Sequence, residues 1–520
     1  MEKTRTYEAV NRAFKDTSRI LFKEEIGELC DFEEYLAECI FPFNVLESHV
    51  SGKGVVVPAY YPQKAKIFSQ DELERVQFAP LDINQVKDID SLLEAVSENV
   101  KYCGNRVFGR NMNTECVDNC IDSMNVIYSL SAWKCKNAAF ASNMRESENV
   151  FGATLNSSSK FLIHCYHGIH DTRCFGSFFA VESSDCYSCF NCTNCTDALF
   201  SFNLKGKRNV IGNLELPKER YLELKGKLVS EIAAWLREKK SFPAVEDIAV
   251  LYGGAKKGGV EVDSLPPAKE VAKINSLFGA ASKIILGKEL GPVTDYEGWL
   301  VKYSARVKQI RGAFGKPALS AERWVKFDSI PGERLVGLKE ALELGQKKRV
   351  LIKDGEVPSL KELLERVAEI AYYCCEYTDG KSGGIVQTMI SYDANTAFRV
   401  VDCTGGKKCA YCSLPAYSEH VYGGAHMRLF RSKFCINCFD SVNLNNCFEV
   451  DNCHDTSHSM FCHNCENVSD CLFCFNVKNK KYAVGNTEVG REEFLRVKKI
   501  LLDYVLAELE GKKKCELSIF

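Results

Sequence analysis

Every cysteine between positions 120 and 195 falls on one phase of a three-residue period: Cys120, Cys135, Cys165, Cys174, Cys186, Cys189, Cys192 and Cys195. Random placement would do this with a probability on the order of one in two thousand. Other sites on the phase are mostly small or apolar, Ser129, Ala138, Val150, Leu162 and Ala180 among them, with Met144, Asn156 and Asp171 the exceptions. A period of three is neither the 3.6 of a helix nor the 2.0 of a flat strand. It suits a narrow coil in which short strands alternate with tight corners and every third side chain enters a thin interior. Asp185, Asn191, Asn194, Asp197, Asn446, Asn452, Asn464 and Asp470 stand beside these inward sites, as corners need residues that tolerate left-handed backbone. The expected structure is a β-solenoid, and the spacing of Cys447, Cys453, Cys465 and Cys471 suggests about twelve residues per coil.

The phase recurs further on, at Cys403, Cys409 and Cys412 and then, after a two-residue insertion, at Cys435, Cys438, Cys447, Cys453, Cys462, Cys465, Cys471 and Cys474. The recurrence is general. Asn11, Phe14, Ser18, Gly27, Asp31 and Leu36 return 264 places later as Asn275, Phe278, Ser282, Gly291, Asp295 and Leu300. AAFAS and SENVFGA meet CAYCS and SEHVYGG at a displacement of 271, and SKFLIHC meets SKFCINC at 273. The sequence therefore reads as a tandem duplication of α+β class. Each copy has N-terminal helices (1–40, 269–313), a mixed α/β zone (41–100, 314–370), a Cys-laddered β-solenoid (101–213, 371–486) and a C-terminal capping helix (214–240, 487–520). Val10, Phe14, Ile20 and Leu21 carry the first helical stripe. Tyr221, Leu224, Leu228, Ile232 and Trp235 carry that of one capping helix, and Phe494, Val497, Leu501, Val505 and Leu509 that of the other. The glycines and paired prolines of 241–268 read as a flexible linker with the boundary near Gly259, not as a phosphate cradle, since no GK[ST] ending follows. Two copies on one chain are expected to pack about an approximate two-fold, as an intramolecular pseudo-dimer.

A chain of 520 residues, 46% hydrophobic and 26% charged, has material for several cores. A formal net charge of -2 leaves no footprint for nucleic acid. The first residues carry scattered charges without an apolar run of signal-peptide length, and nowhere do eighteen uncharged apolar residues follow one another. The expectation is a cytoplasmic protein with no membrane partner, whose 26 cysteines are mostly reduced thiols.

Each laddered zone closes in the same way, FNLKGKRNVIGN at 202–213 and FNVKNKKYAVGN at 475–486, before a Glu- and Lys-rich helix. In these features the chain resembles a family of uncharacterised Cys-rich repeat proteins from little-studied bacteria and archaea. The resemblance spans about half the chain and implies a repeat, with no activity, ligand or catalytic residue attached.

Cys186, Cys189, Cys192 and Cys195 are spaced as zinc knuckles often are. The same phase continues through Ser, Ala and Val, and the second copy has Ser459 and Val468 where the first has Cys186 and Cys195, so a buried thiol ladder without cofactor is the first reading and zinc or iron the alternative. His164, His167 and His170 share another phase and are read as one outward row, either solvated or a cation site. Asp118, Asp122, Asp171 and Asp185 are the scattered acids a glycan-cleaving β-helix would need. Cys30, Cys39, Cys103, Cys116, Cys374, Cys375 and Cys515 lie off the ladders and are the candidate reactive thiols. With no catalytic motif, the leading expectation is a non-enzymatic scaffold with a protein partner. A metal or thiol-redox protein and a glycan-binding or glycan-cleaving β-helix are the alternatives.

Overall fold

The computed structural model describes residues 4–133, 136–139, 142, 147–262, 266–378, 383–392, 394–424 and 429–520. Cys135, Met144 and part of the AAFAS segment lie outside the described residues. The protein mixes helix and strand, and one succession of elements is met in each half. A long helix (Arg5–Phe22; Ala268–Leu286) leads into a 3-10 turn (Leu29–Phe32; Val293–Tyr296) and a short helix (Glu33–Ala37; Glu297–Leu300). An antiparallel hairpin follows (Phe43–Glu47 with Gly54–Pro58; Arg306–Arg311 with Pro317–Glu322), then another helix (Ile89–Ser97; Leu360–Ile370), a ladder of short strands, and a terminal helix (Lys218–Lys239; Arg491–Lys512). No described helix is long and apolar enough to cross a membrane.

Local chemistry accounts for the first helix. Thr4 caps it by accepting from the Tyr7 amide, and left-handed Lys23 ends it. Val10, Phe14 and Leu21 lie buried, whereas Ile20 is exposed because it falls one place off the stripe that Thr17, Ser18 and Leu21 continue.

In the ladders, parallel partners stand twelve residues apart: Lys160 with Thr172, Thr172 with Ser184, Ser184 with Thr196, Thr196 with Arg208, and Lys433 with Asn445. One step, Glu419 with Lys433, is fourteen residues, which locates the two-residue insertion. A left-handed residue recurs every third place, as at Asp185, Ser188, Asn191, Asn194 and Asp197. Left-handed backbone costs an L-residue roughly 1–2 kcal/mol. Cross-layer bonds offset it, since these amides donate to carbonyls thirteen residues back, as Asn194 does to Val181 (2.9 Å) and Ser188 to Phe175 (2.7 Å). At the last layer the chain reverses at left-handed Gly212 and Gly485 into an antiparallel pair. The final Asn of the shared motif ties this turn to the layer below: Asn213 and Asn486 accept from the amides of Phe202 and Phe475, both at 2.8 Å.

The halves cover one another. Each ladder carries the long helix of its own half on one side and the hairpin region of the other half on another. Asn203 Nδ2 donates to the Tyr372 carbonyl at 2.8 Å, and Asn476, 273 places on, donates to the Lys101 carbonyl at 2.7 Å. The Tyr373 hydroxyl reaches the Val245 carbonyl, and that of Tyr102 reaches the Ile519 carbonyl. Arg496 donates to carbonyls of the 83–86 segment, Arg220 and Lys227 to carbonyls at 356–358. The connection between halves is not a free tether. Residues 245–251 are helical, and 258–262 is stitched to the second half through Gly332 N to Gly258 O (2.7 Å), Arg311 N to Val260 O (2.8 Å) and Val262 N to Gln309 O (2.9 Å).

Candidate functional site

Cys186, Cys189, Cys192 and Cys195 are fully buried in one apolar cluster with Cys174, Ala198 and Val210. Each thiol points at two backbone carbonyls, two residues before it and nine after. Cys189 Sγ, for example, lies 3.5 Å from Tyr187 O and 3.4 Å from Ala198 O. Neighbouring thiols and burial push Cys186, Cys189 and Cys192 above the ordinary thiol range. Among the described residues, no group of three or more His, Cys, Asp or Glu side chains is gathered as a metal ion would need.

The histidines do not form a row. Strand partners stand twelve residues apart here and the backbone is left-handed at each of His164, His167 and His170, so the chain turns at each of them and the three side chains do not share one face. His164 is buried with its ring 3.8 Å from that of Tyr35 and nearly parallel to it. His167 is buried beside Phe179 and Trp324, and burial lowers its imidazole to about 3. Only His170 is exposed. The reading of a solvated surface row is therefore corrected for two of the three.

Nor do the four acids offer a catalytic pair. Asp118 and Asp171 are enclosed, Asp185 is paired with Arg173 (2.6 Å), and Asp122 accepts from the Arg110 amide (2.9 Å). Of the cysteines off the ladders, Cys39, Cys103, Cys374, Cys375 and Cys515 are buried, Cys30 is half-buried, and Cys116 alone is exposed. Burial pushes Cys103 and Cys515 up to about 12.

Two constellations that sequence reading missed lie where the halves meet. The first is a buried polar network. The Arg106 guanidinium pairs with Asp118, both side chains at most 1% exposed, and donates to the Tyr61 hydroxyl (3.3 Å). Tyr61 in turn donates to Asp451 (2.6 Å) of the other half. His463 accepts the Cys103 amide on Nε2 (3.0 Å), so its proton sits on Nδ1, facing Asp451 at 2.8 Å. Burial would raise the Asp451 carboxyl, but His463, Arg106 and Tyr61 hold it below its usual value. No substrate reaches this cluster, because every member is buried. The sequence carried a signal for it. At displacements of 271 and 273, Arg106, Asp118, Asp451, Asn452 and His463 stand against Tyr377, Met389, Phe178, Phe179 and Phe190, so one half is polar where the other is mostly apolar.

The second is an open cavity of about 430 Å³ between the two hairpin regions. Its aromatic walls come from both halves, Phe41 and Tyr60 from one, Tyr303 and Trp324 from the other, and Lys302, Arg323, Lys326 and Asp328 add charge. Lys326 is already neutralised by Glu38 (2.8 Å) and Glu246 (3.1 Å).

No family model matches the chain, and no curated protein or solved structure matches it either.

Proposed function

We propose that this chain is a non-enzymatic binding scaffold: a tandem duplication of a β-solenoid unit, clasped as an intramolecular pseudo-dimer, whose working surface is the junction of the two units. The observation that carries the reading is the reciprocal covering of each ladder by the hairpin region of the other half, with equivalent asparagines and tyrosines making equivalent bonds. Such an arrangement holds a cavity lined by both units. The twelve-residue register and the left-handed residue at every third place support the solenoid, and the repeated element order supports the duplication. A protease site inserted after exposed Gly254 tests the clasp. The cut fragments are expected to stay together, one of each, on gel filtration, and their separation under native conditions would overturn the pseudo-dimer. Turnover of a substrate abolished by one point substitution would overturn the non-enzymatic reading.

A further inference from the structure

We infer that the cavity between the hairpin regions binds a small planar aromatic monocarboxylate, an inference that rests on the junction being the working surface. The cavity's 430 Å³ lies within the roughly 300–1,000 Å³ common for small-molecule sites. Four aromatic rings, those of Phe41, Tyr60, Tyr303 and Trp324, line it. The hydroxyls of Tyr60 and Tyr303 are turned away to Asp440 (2.8 Å) and to the Phe520 carbonyl (3.3 Å), and the Trp324 ring packs edge-on to Phe41 at 4.9 Å. Flat apolar surface on several sides selects an aromatic body.

Charge selects the head group. Arg323 spends Nε and Nη2 on the carbonyls of Ser304 (3.1 Å) and Val301 (2.6 Å), which fixes the guanidinium and leaves Nη1 for a ligand. The Lys302 ammonium lies over the Tyr303 ring at 4.6 Å. Among the described residues it makes no ion pair. Beside the doubly paired Lys326, the charged side chains lining the cavity are two cations, Lys302 and Arg323, and one acid, Asp328, a balance that suits a monoanion better than a phosphate dianion. The seam is also lopsided. At the 264-place displacement Lys302 and Arg323 correspond to Glu38 and Ala59, so both available cations come from the second half and a ligand is held in one orientation. A seam left over from symmetric packing would not need this.

The test is calorimetric titration of the full chain with 2-naphthoate, the neutral 2-naphthalenemethanol and phenyl phosphate. The expected result is one site for naphthoate, at least about tenfold tighter than the alcohol or the phosphate, a difference of about 1.4 kcal/mol. Lys302→Met, at an exposed position, is expected to weaken naphthoate about tenfold and leave the alcohol unchanged. Ala59→Trp, at the exposed rim, is expected to fill the cavity and abolish binding of both while the cut fragments of the clasp experiment still hold together. Equal binding of naphthoate and alcohol, unmoved by Lys302→Met, would overturn the ligand class and leave the junction reading standing. Binding of none of the three probes, by a chain whose fragments stay clasped, would overturn the cavity as a site. Tightest binding of phenyl phosphate would overturn the monoanion argument.

Discussion

The Arg106–Asp118 pair allows a double-substitution experiment whose sign is fixed in advance. Both groups are enclosed, and Asp118 accepts three bonds from Arg106: from the backbone amide (2.9 Å), from Nε (2.9 Å) and from Nη2. Asp118→Met strands a guanidinium that, among the described residues, keeps the Tyr61 hydroxyl as its one hydrogen-bond partner. Removing one partner of a buried pair costs about 3–5 kcal/mol. Arg106→Tyr leaves a carboxylate that escapes part of this cost by protonating, so its loss is expected to be smaller, on the order of 2–3 kcal/mol. The double variant carries the residues found at 377 and 389 of the other half. Replacing a buried pair by packed apolar groups is often neutral or stabilising by about 1–4 kcal/mol. The four proteins form a cycle, followed by far-UV circular dichroism in urea at constant slope. The expected coupling exceeds about 3 kcal/mol, with the double variant at or above the parent midpoint. A double variant no better than Asp118→Met, or a loss under about 1 kcal/mol for Asp118→Met alone, would refute the view that this pair is costly to break and yet replaceable by apolar groups.

Three further outcomes follow from the geometry. Asp171 lies inside a ladder with Oδ2 unbonded, and burial raises its carboxyl to about 8, against the opposing effect of the Ser183 and Ile169 amides. A folded-state pKa above the unfolded value of about 4 means the native state holds the extra proton, so stability falls as pH rises from about 4 to 8. Asp171→Asn should flatten that fall in melting temperature, and an unchanged slope would count against the assignment. Gly345→Ala would ordinarily stabilise a helix by about 1 kcal/mol. Here the new Cβ would sit 2.0 Å from the Asn203 carbonyl oxygen of the other half, so a lower melting temperature and separation of the cut fragments are expected, and a stabilised protein would contradict the contact. In native protein, iodoacetamide should label Cys116 first and Cys186, Cys189, Cys192 and Cys195 only at the rate of unfolding. Ladder labelling as fast as Cys116, read by peptide mass, would mean that the interior opens.

The ladder interior was legible because Cys186, Cys189, Cys192, Cys195, Ala198, Leu204 and Val210, all on one three-residue phase, are buried in one cluster, so the phase announces itself without knowledge of any other segment. The outside of the coil was not legible in that way. His164 and His167 share a phase with exposed His170, and whether each side is wet depends on Tyr35 and Trp324, the second of which arrives from the other half. Spacing along one strand of sequence carries no information about which segment lies on top. The repeat does carry some, because on the duplication reading each position has an internal control. Where both copies keep the same residue, as at Tyr102 and Tyr373 or Asn203 and Asn476, the shared bonds build the clasp. Where a buried site is polar in one copy and apolar in the other, as at Asp451 and Phe178 or His463 and Phe190, folding alone cannot require the polar group, since the apolar solution stands in the same chain. Comparing the two copies for such disagreements would have pointed to the junction before any coordinates. On the same reading, Lys302 against Glu38 and Arg323 against Ala59 are disagreements of this kind at the surface, around the cavity that both halves line.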